Sequence, residues 1–398
     1  MDRKSQPRIR GPKITAENLQ TGKTKMQESF KTIEIKDGII IVLDQTRLPR
    51  EEVYLEARTT EDVWDYIKRL VVRGATLIGV TAGYGMWLAV KEILRGIPEE
   101  QPLSEEEIDV IGIALREKAE YLNSSRPTAV NLSYAIKRSL ARYDEVAESL
   151  VSQDPAKARY VVTPEDIIKE LFDEAETIRQ EEIETTRAKG EYTLEVLHDG
   201  MTVLTHCNAG GLAGAGGGGA FEGFYLGKER GMNFKLYCDE TRPLLQGARL
   251  SAWELHKMGI DTTLICDNMA SSVMKKGLID AVLVGCDRMA VNGDAANKIG
   301  TQGVAVLAKE YGIPVYFSVP TSSIDLDTAT GDDIVIEERD GEEIASKWYE
   351  ERMAPEGIKI YNPAFDVTDH DLITAVITEK GVVYPPYDVS IPEIMKEK

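Results

Sequence analysis

An α/β chain is predicted, with a mainly helical first part that carries a small β element and a second part built on a parallel sheet with helices on both faces. Three observations predict it. Apolar residues recur at spacings of three and four through five stretches of the first half. Short apolar runs alternate with helical stretches in the second half, the pattern of a parallel sheet covered on both sides. Ahead of the first helix, Asp37-Gly38 separates two strand-like runs, which is a hairpin signal.

Taken in order, residues 1–28 carry lysines and arginines but few apolar residues, and read as a solvated lead-in. Strands are expected at 32–36 and 38–43, and helices at 60–72, 83–94, 105–121, 130–148 and 164–187. These make a first domain over 29–193. A second domain, over 194–398, has apolar runs ending at Thr205, Cys238, Cys266, Gly285 and Val319, with helices expected at 242–258, 295–311 and 371–379. In such sheets ligands collect beyond the carboxyl ends of the strands. The first four runs lead into Thr205-His206-Cys207-Asn208, Cys238-Asp239-Glu240-Thr241-Arg242, Cys266-Asp267-Asn268 and Cys286-Asp287-Arg288, so polar and reactive side chains stand at each exit.

Composition narrows the class. A chain of 398 residues, 42% of them hydrophobic, can bury two cores. A formal net charge of −20 argues against nucleic acid as a partner, because phosphate backbones need a basic face. It leaves room for a small anion in a locally positive pocket. No apolar run approaches the roughly 20 residues of a membrane span, and the N-terminus lacks the apolar core of a signal peptide, so no membrane association and a cytoplasmic location are expected. The four cysteines form no CxxC pair and suggest free thiols. The four histidines lack ligand spacing, so no catalytic metal is expected.

Several segments could carry chemistry. The run from Gly214 to Gly219 satisfies G-x-G-x-x-G, with Asp239 downstream at a strand end. Its first glycine stands well beyond the strand end at Thr205, however, so no dinucleotide cofactor is expected and the run reads as backbone passing close to a ligand or another segment. Cys207 reads either as an inert thiol or as one that ionises beside the backbone N–H groups of that glycine-rich segment. Asp287 follows the apolar run 281–284, where burial would keep a carboxyl protonated; an ion pair with Arg288 or a helix cap is the plainer alternative. Asn292-Gly293-Asp294 reads as a turn into a helix whose first turn holds Asn297 and Lys298, a place for an anion. Arg73-Gly74-Ala75 and Ser124-Ser125-Arg126-Pro127-Thr128 each set an arginine in a small-residue loop before a helix, which suits phosphate, although a surface salt bridge is the default for either alone. Arg242 begins a stretch that also carries Gln246 and Arg249, where packing is as good a reading as ligand contact.

In these segments the chain resembles the methylthioribose-1-phosphate isomerases, whose superfamily includes ribose-1,5-bisphosphate isomerases and the regulatory subunits of the eukaryotic translation-initiation guanine-nucleotide exchange factor. The likeness runs from about Phe30 to Tyr387, and is strongest at Arg73-Gly74-Ala75, Ser125 to Asn131, Leu204 to Gly210, Asp239 to Leu255, Asp267-Asn268-Met269 and Gly285 to Gly300. It implies a Rossmann-like, doubly wound second domain that binds no dinucleotide, a cleft between the domains, a homodimer and a small phosphorylated sugar as substrate. It also implies that Cys207 and Asp287 are catalytic and that Arg73, Gly74, Ala75, Arg126, Gln246, Asn297 and Lys298 contact substrate. The sequence departs from the family pattern in its glycine content over 211–219 and in extra residues over 99–107 and 148–162.

Overall fold

The computed structural model describes residues 29–127, 129–151 and 161–397; the expected lead-in over 1–28, Thr128 and most of the extra stretch over 148–162 lie outside them. The chain opens on an antiparallel sheet of β1 (Ile33–Lys36), β2 (Ile39–Leu43) and β3 (Tyr54–Ala57). Asp37 and Gly38, at φ 52° and 75°, form the turn between β1 and β2 with the positive dihedrals that tight hairpins need.

Five helices follow: α1 (Thr60–Lys68), α2 (Ala75–Ile93), α3 (Glu105–Asn123), α4 (Val130–Val151) and α5 (Pro164–Val196). Capping boxes start α1, α3 and α5, pairing Thr59 with Asp62, Ser104 with Glu107 and Thr163 with Asp166. Helix α2 is buried on every side over residues 77–90 and forms the centre of the bundle, packed against α3, α4 and α5. Because it has no polar face, periodicity locates only its second half. Helix α5 has 33 residues and so spans about 50 Å. Its early residues Ile167, Leu171 and Ala175 belong to the bundle core, while Val196 packs with Leu197, Val203 and Phe221 in a second core.

The second half holds a seven-stranded sheet of β4 (Thr202–Thr205), β5 (Lys235–Asp239), β6 (Asp261–Ile265), β7 (Ala281–Val284), β10 (Val315–Ser318), β13 (Ala375–Thr378) and β14 (Gly381–Val383). The spatial order is β14-β13-β10-β7-β4-β5-β6, parallel throughout except for the edge strand β14. The chain therefore winds outward from β4 through β5 to β6, then returns to β7 on the other side of β4. That reversal is the topological switch point of a doubly wound sheet, the crevice where such folds bind ligands. Residues 281–284 are buried on both faces, as a continuous apolar run in a parallel sheet should be.

Three expected helices are corrected. Residues 295–311 begin with a strand, β9 (Ala295–Lys298), and only then form α9 (Thr301–Glu310). Asn292-Gly293-Asp294 turns β8 (Arg288–Ala290) into β9, and Gly300 at φ 104° separates that strand from the helix. With β11 (Ile324–Asp325) and β12 (Phe365–Thr368), these make a four-stranded sheet absent from the sequence reading. Residues 371–379 hold β13, whose Ala-Val-Ile-Thr run is fully buried between β10 and β14. Within 242–258 the α-helix is confined to α7 (Ala252–Lys257), preceded by a π turn over 247–251. Thr241 and Leu245 at φ 63° and 57° rule out a helix starting at Arg242. The remaining helices are α6 (Glu222–Glu229), α8 (Ala270–Lys275), α10 (Glu342–Ala345) and α11 (Tyr387–Lys396). Among the described residues no helix is long and apolar enough to cross a membrane.

Candidate active site

A cavity of about 810 Å³ opens at the switch point, and all nine residues singled out from the sequence line it: Arg73, Gly74, Ala75, Arg126, Cys207, Gln246, Asp287, Asn297 and Lys298. Cys207 leaves the end of β4 and Asp287 the end of β7, the two neighbouring strands that flank the reversal. Cys207 sits at φ 68°, a left-handed conformation costly for a residue with a side chain. Two bonds hold it there: its N–H donates to Thr241 Oγ1 at 2.8 Å, and its carbonyl accepts from Ser251 Oγ at 2.7 Å.

The environment of the thiol differs from the sequence expectation. Several N–H groups of the glycine-rich segment are taken by buried carboxylates, and the backbone N–H that lowers the thiol belongs to Asn208. Gly211 and Leu212 donate to Glu254 at 2.5 and 3.2 Å, Ala215 to Glu182 at 3.2 Å and Gly218 to Glu222 at 2.8 Å. The glycines are needed for this close approach: a Cβ on Gly214 would meet the Glu182 carboxylate at 2.6 Å, and one on Gly217 would meet Thr186 at 2.6 Å. Burial pushes the thiol above its ordinary value, Lys298 and Arg73 pull it down, and Asp287 opposes them. The groups that favour a thiolate are thus two side-chain cations, with the Asn208 N–H beside them. Lys298→Met is expected to move the pH midpoint of Cys207 alkylation by iodoacetamide upward; an unmoved or lower midpoint would contradict this balance.

Burial likewise raises Asp287, against the pull of Lys298, Arg126, Arg73 and Arg339. The simpler reading of Asp287 as a partner of Arg288 does not hold, since Arg288 pairs with Asp325. The cations are themselves short of counter-charge. Burial lowers Arg73, Arg126 and Lys298, and Arg339 adds repulsion at Arg126. A dianion entering here would relieve that repulsion.

Arg73 and Lys298 are positioned by backbone or by a neutral partner, Arg126 by a carboxylate. Arg73 donates to Asn208 Oδ1 at 2.6 Å and to the Asn208 carbonyl at 3.0 Å, which ties the start of α2 to the segment after β4. Gly74 at φ 97° caps α2, and a Cβ there would meet Ala213 at 2.5 Å; Ala75 is the first residue of the helix. Arg126 lies 3.5 Å from Glu337, and Lys298 Nζ donates to the Ala364 carbonyl at 2.6 Å while facing the Phe365 ring. Asn297 and Lys298 belong to β9, so they enter from a strand and not from the first turn of a helix. Asn297 Nδ2 donates to Thr301 Oγ1, and Gln246 Oε1 is buried without a hydrogen-bond partner. Arg249 also lines the cavity, and it donates to the carbonyls of Gln45 and Leu48 and stacks on Trp348.

Sequence reasoning missed Glu337 and Arg339, which line the cavity and lie 3.3 Å apart. They sit in the charged run Glu337-Glu338-Arg339-Asp340, which looks like a solvated surface segment. It also missed the carboxylate beneath the site. Glu254 accepts from Gly211, Leu212, Tyr225 and Asn208, and so anchors the residue that holds Arg73. Glu254→Ala is expected to cost about 3–5 kcal/mol of stability, because it strands several buried donors at once. Thermal unfolding of the variant measures this; a cost below about 1 kcal/mol would refute it.

Asp239, the residue a dinucleotide would have used, is fully buried with its Oδ2 3.0 Å from His206 Nδ1, and His206 Nε2 lies 2.9 Å from the Ile299 carbonyl. A carbonyl only accepts, so Nε2 carries a proton. The His206, Asp239 and Asp267 ligand atoms lie within 4.8 Å of one another, a grouping that sequence spacing hides. Its members are engaged in hydrogen bonds, with both Asp267 oxygens accepting from the N–H groups of Thr241 and Arg242 at 2.7 Å.

Comparison with known proteins places these features. Residues 71–385 match the model of the initiation factor 2 subunit family. The chain is 51% identical to a methylthioribose-1-phosphate isomerase of Symbiobacterium thermophilum over 94% of its own length and 98% of that protein. It is 50% identical to a 5-deoxyribose 1-phosphate isomerase of Petrotoga mobilis over 92% and 98% of the two chains. Among solved structures, 5-methylthioribose 1-phosphate isomerase of Pyrococcus horikoshii superposes with a TM-score of 0.83 at 37% identity, covering 95% of this chain and 99% of that one. The translation initiation factor eIF-2B subunit delta of A. fulgidus follows with a TM-score of 0.78 at 39% identity, covering 92% and 100%. With its fold, its switch-point cavity and the match across most of its length in agreement, this chain belongs to the initiation factor 2 subunit family.

Proposed function

We propose that this protein is an aldose–ketose isomerase acting on a pentose 1-phosphate, converting 5-methylthioribose 1-phosphate to 5-methylthioribulose 1-phosphate in methionine salvage. The observation that carries the reading is the facing of a thiol and a buried carboxyl across the switch point, inside a ring of under-neutralised cations. Relatives of nearly equal identity bear the names of methylthioribose-1-phosphate and 5-deoxyribose 1-phosphate isomerases, which supports the isomerase class over either substrate. A 5-deoxyribose 1-phosphate and ribose 1,5-bisphosphate are the alternatives. A regulatory subunit without catalysis is the weaker reading, since it gives the Cys207–Asp287 pair no work. The enzyme is taken to be a cytoplasmic homodimer that needs no cofactor.

An aldose 1-phosphate cannot open on its own, because the phosphate blocks the anomeric oxygen. In the proposed route Arg73, Arg126, Lys298 and the N–H groups at Gly74 and Ala75 hold the phosphate, with Gln246 and Asn297 on neighbouring oxygens. Protonated Asp287 donates to the ring oxygen as the bond from that oxygen to C1 breaks. The Cys207 thiolate removes the proton from C2, and a C1–C2 double bond forms. The C2 hydroxyl then returns its proton to Asp287 as it becomes the ketone, and C1 takes a proton from Cys207. Atoms and charges balance, and both groups end as they began.

Purified protein given the pentose 1-phosphates in deuterated water tests this. Turnover with deuterium at C1 of the ketose is expected. No turnover of any of them would end the isomerase reading; because Cys207 can return the proton it took, product free of solvent deuterium replaces proton transfer with a hydride shift only where Cys207→Ala also keeps kcat within tenfold of wild type.

A further inference from the structure

Glu337 lines the cavity among its cations, and the chemistry above gives it no part. Its Oε2 lies 3.5 Å from the Arg126 guanidinium, and its Oε1 accepts from Arg339 Nε at 3.3 Å. Burial alone would raise this carboxyl, yet Arg339, Arg126 and Lys298 hold it below its ordinary range, so it is ionised. Two of those cations, Arg126 and Lys298, are ones to which the substrate phosphate is assigned. The empty site therefore already contains an anion of its own.

The pairing is poorly made on the Arg126 side. A well-formed arginine–carboxylate contact is about 2.7–2.9 Å long and often bidentate. Here Oε2 is buried without a hydrogen bond, and Arg126 pairs with no other carboxylate among the described residues. The backbone beneath Glu337 is fixed, because residues 337–339 run antiparallel to 362–364. The Ala364 N–H donates to the Glu337 carbonyl at 2.8 Å, Glu338 bridges to Pro363, and the Arg339 N–H donates to the Asn362 carbonyl at 2.9 Å. The Ala364 carbonyl in turn accepts from Lys298. Arg339 has a second carboxylate in Glu343 at 3.7 Å, so it keeps a counter-charge if Glu337 turns away. Rotation of the Glu337 side chain thus frees Arg126 and leaves the backbone pairing that holds Lys298 undisturbed.

We propose that Glu337 is the internal counter-ion of the phosphate subsite: its carboxylate occupies Arg126 while the cavity is empty and yields that arginine to the phosphate of substrate or product. The inference rests on the isomerase reading and adds to it how the site sets its grip. A site that must first be freed binds with an affinity reduced by the fraction of molecules in which it is free. Aldose and ketose carry the same phosphate, so Glu337 weakens the hold on both and favours release of the product. A phosphate dianion brings two charges against the one it displaces. An unphosphorylated pentose brings none and leaves the pair closed.

The test is the calorimetric Kd of inorganic phosphate for the wild type and Glu337→Gln, which keeps the volume and removes the charge. Glu337→Gln is expected to bind phosphate about 10-fold more tightly. KM for the pentose 1-phosphates should fall with it while kcat does not rise, a split that a merely structural role would not produce. If Glu337 instead props Arg126 in place for the phosphate, the variant binds phosphate more weakly and KM rises. Either of those results, or a change in Kd of less than about threefold, overturns the proposal. Should the wild type turn over none of the pentose 1-phosphates, the isomerase reading fails, and the Kd of inorganic phosphate still decides the role of Glu337. Melting temperatures identify a misfolded variant, in which case Glu337→Ala supplies the comparison.

Discussion

Cys207→Ala is expected to lower kcat by about 10³-fold while substrate still binds, because a positioned proton-transfer group contributes roughly 10²–10⁴. Burial raises the Cys207 thiol above its ordinary value, and the nearby charges of Lys298 and Arg73 act against that rise. Alanine removes the base and leaves those cations in place, so KM should stay within a few-fold and kcat should carry the loss. Stability should hardly change, since the bonds to Thr241 and from Ser251 involve only the backbone of residue 207. Cys207→Gly provides a control: it removes the thiol and also the left-handed strain, so the protein should melt higher while remaining as inactive, by about 1 kcal/mol. Kinetics and melting curves on both variants read this out. Activity within tenfold of wild type in either would remove the thiol from the mechanism.

Asp287→Asn should be as damaging, with a kcat about 10³-fold below wild type, for a different reason. Asparagine keeps the volume and cannot protonate the ring oxygen. Burial holds the carboxyl above its ordinary range, so the acid form that the reaction requires becomes accessible without leaving the cavity. Where Asp287 is ionised it offsets Arg73, Arg126 and Lys298, so its removal should also tighten the binding of inorganic phosphate to the unliganded enzyme. Inhibition constants for phosphate on the wild type and the variant check the sign. Weaker binding of phosphate to Asp287→Asn would show that the carboxyl is not facing those cations.

Much of the fold could be read from local pattern. The runs ending near Thr205, Gly285 and Val319 became central parallel strands because a strand buried on both faces must be largely apolar, while those ending near Cys238 and Cys266 run out to the more exposed edge. The capped amphipathic helices α1, α3 and α5 were equally readable. Where pattern failed, tertiary context had overridden it. Ala-Ala-Asn-Lys at 295–298 has helix-forming composition, yet pairing with Phe365 to Thr368, far along the chain, makes it a strand. Ala-Val-Ile-Thr at 375–378 is too short for periodicity to separate strand from helix. At the site, residues in recognisable loops were found, such as Arg73 and Arg126. Glu254, Glu337 and Arg339 were not, because a charged residue in a helix or a charged run looks solvated until the fold places it inside.

The length of α5 has a consequence for how the protein comes apart. One unbroken helix contributes Ile167, Leu171 and Ala175 to the bundle core and Val196 to the core beneath the large sheet, and along the way Glu182 and Thr186 hold the glycine-rich segment. Neither core can be exposed to solvent while the other stays intact unless this helix breaks in the middle, where its buried stripe is clamped. The two halves are therefore coupled into a single cooperative unit, and local opening is left to the segments that α5 does not touch.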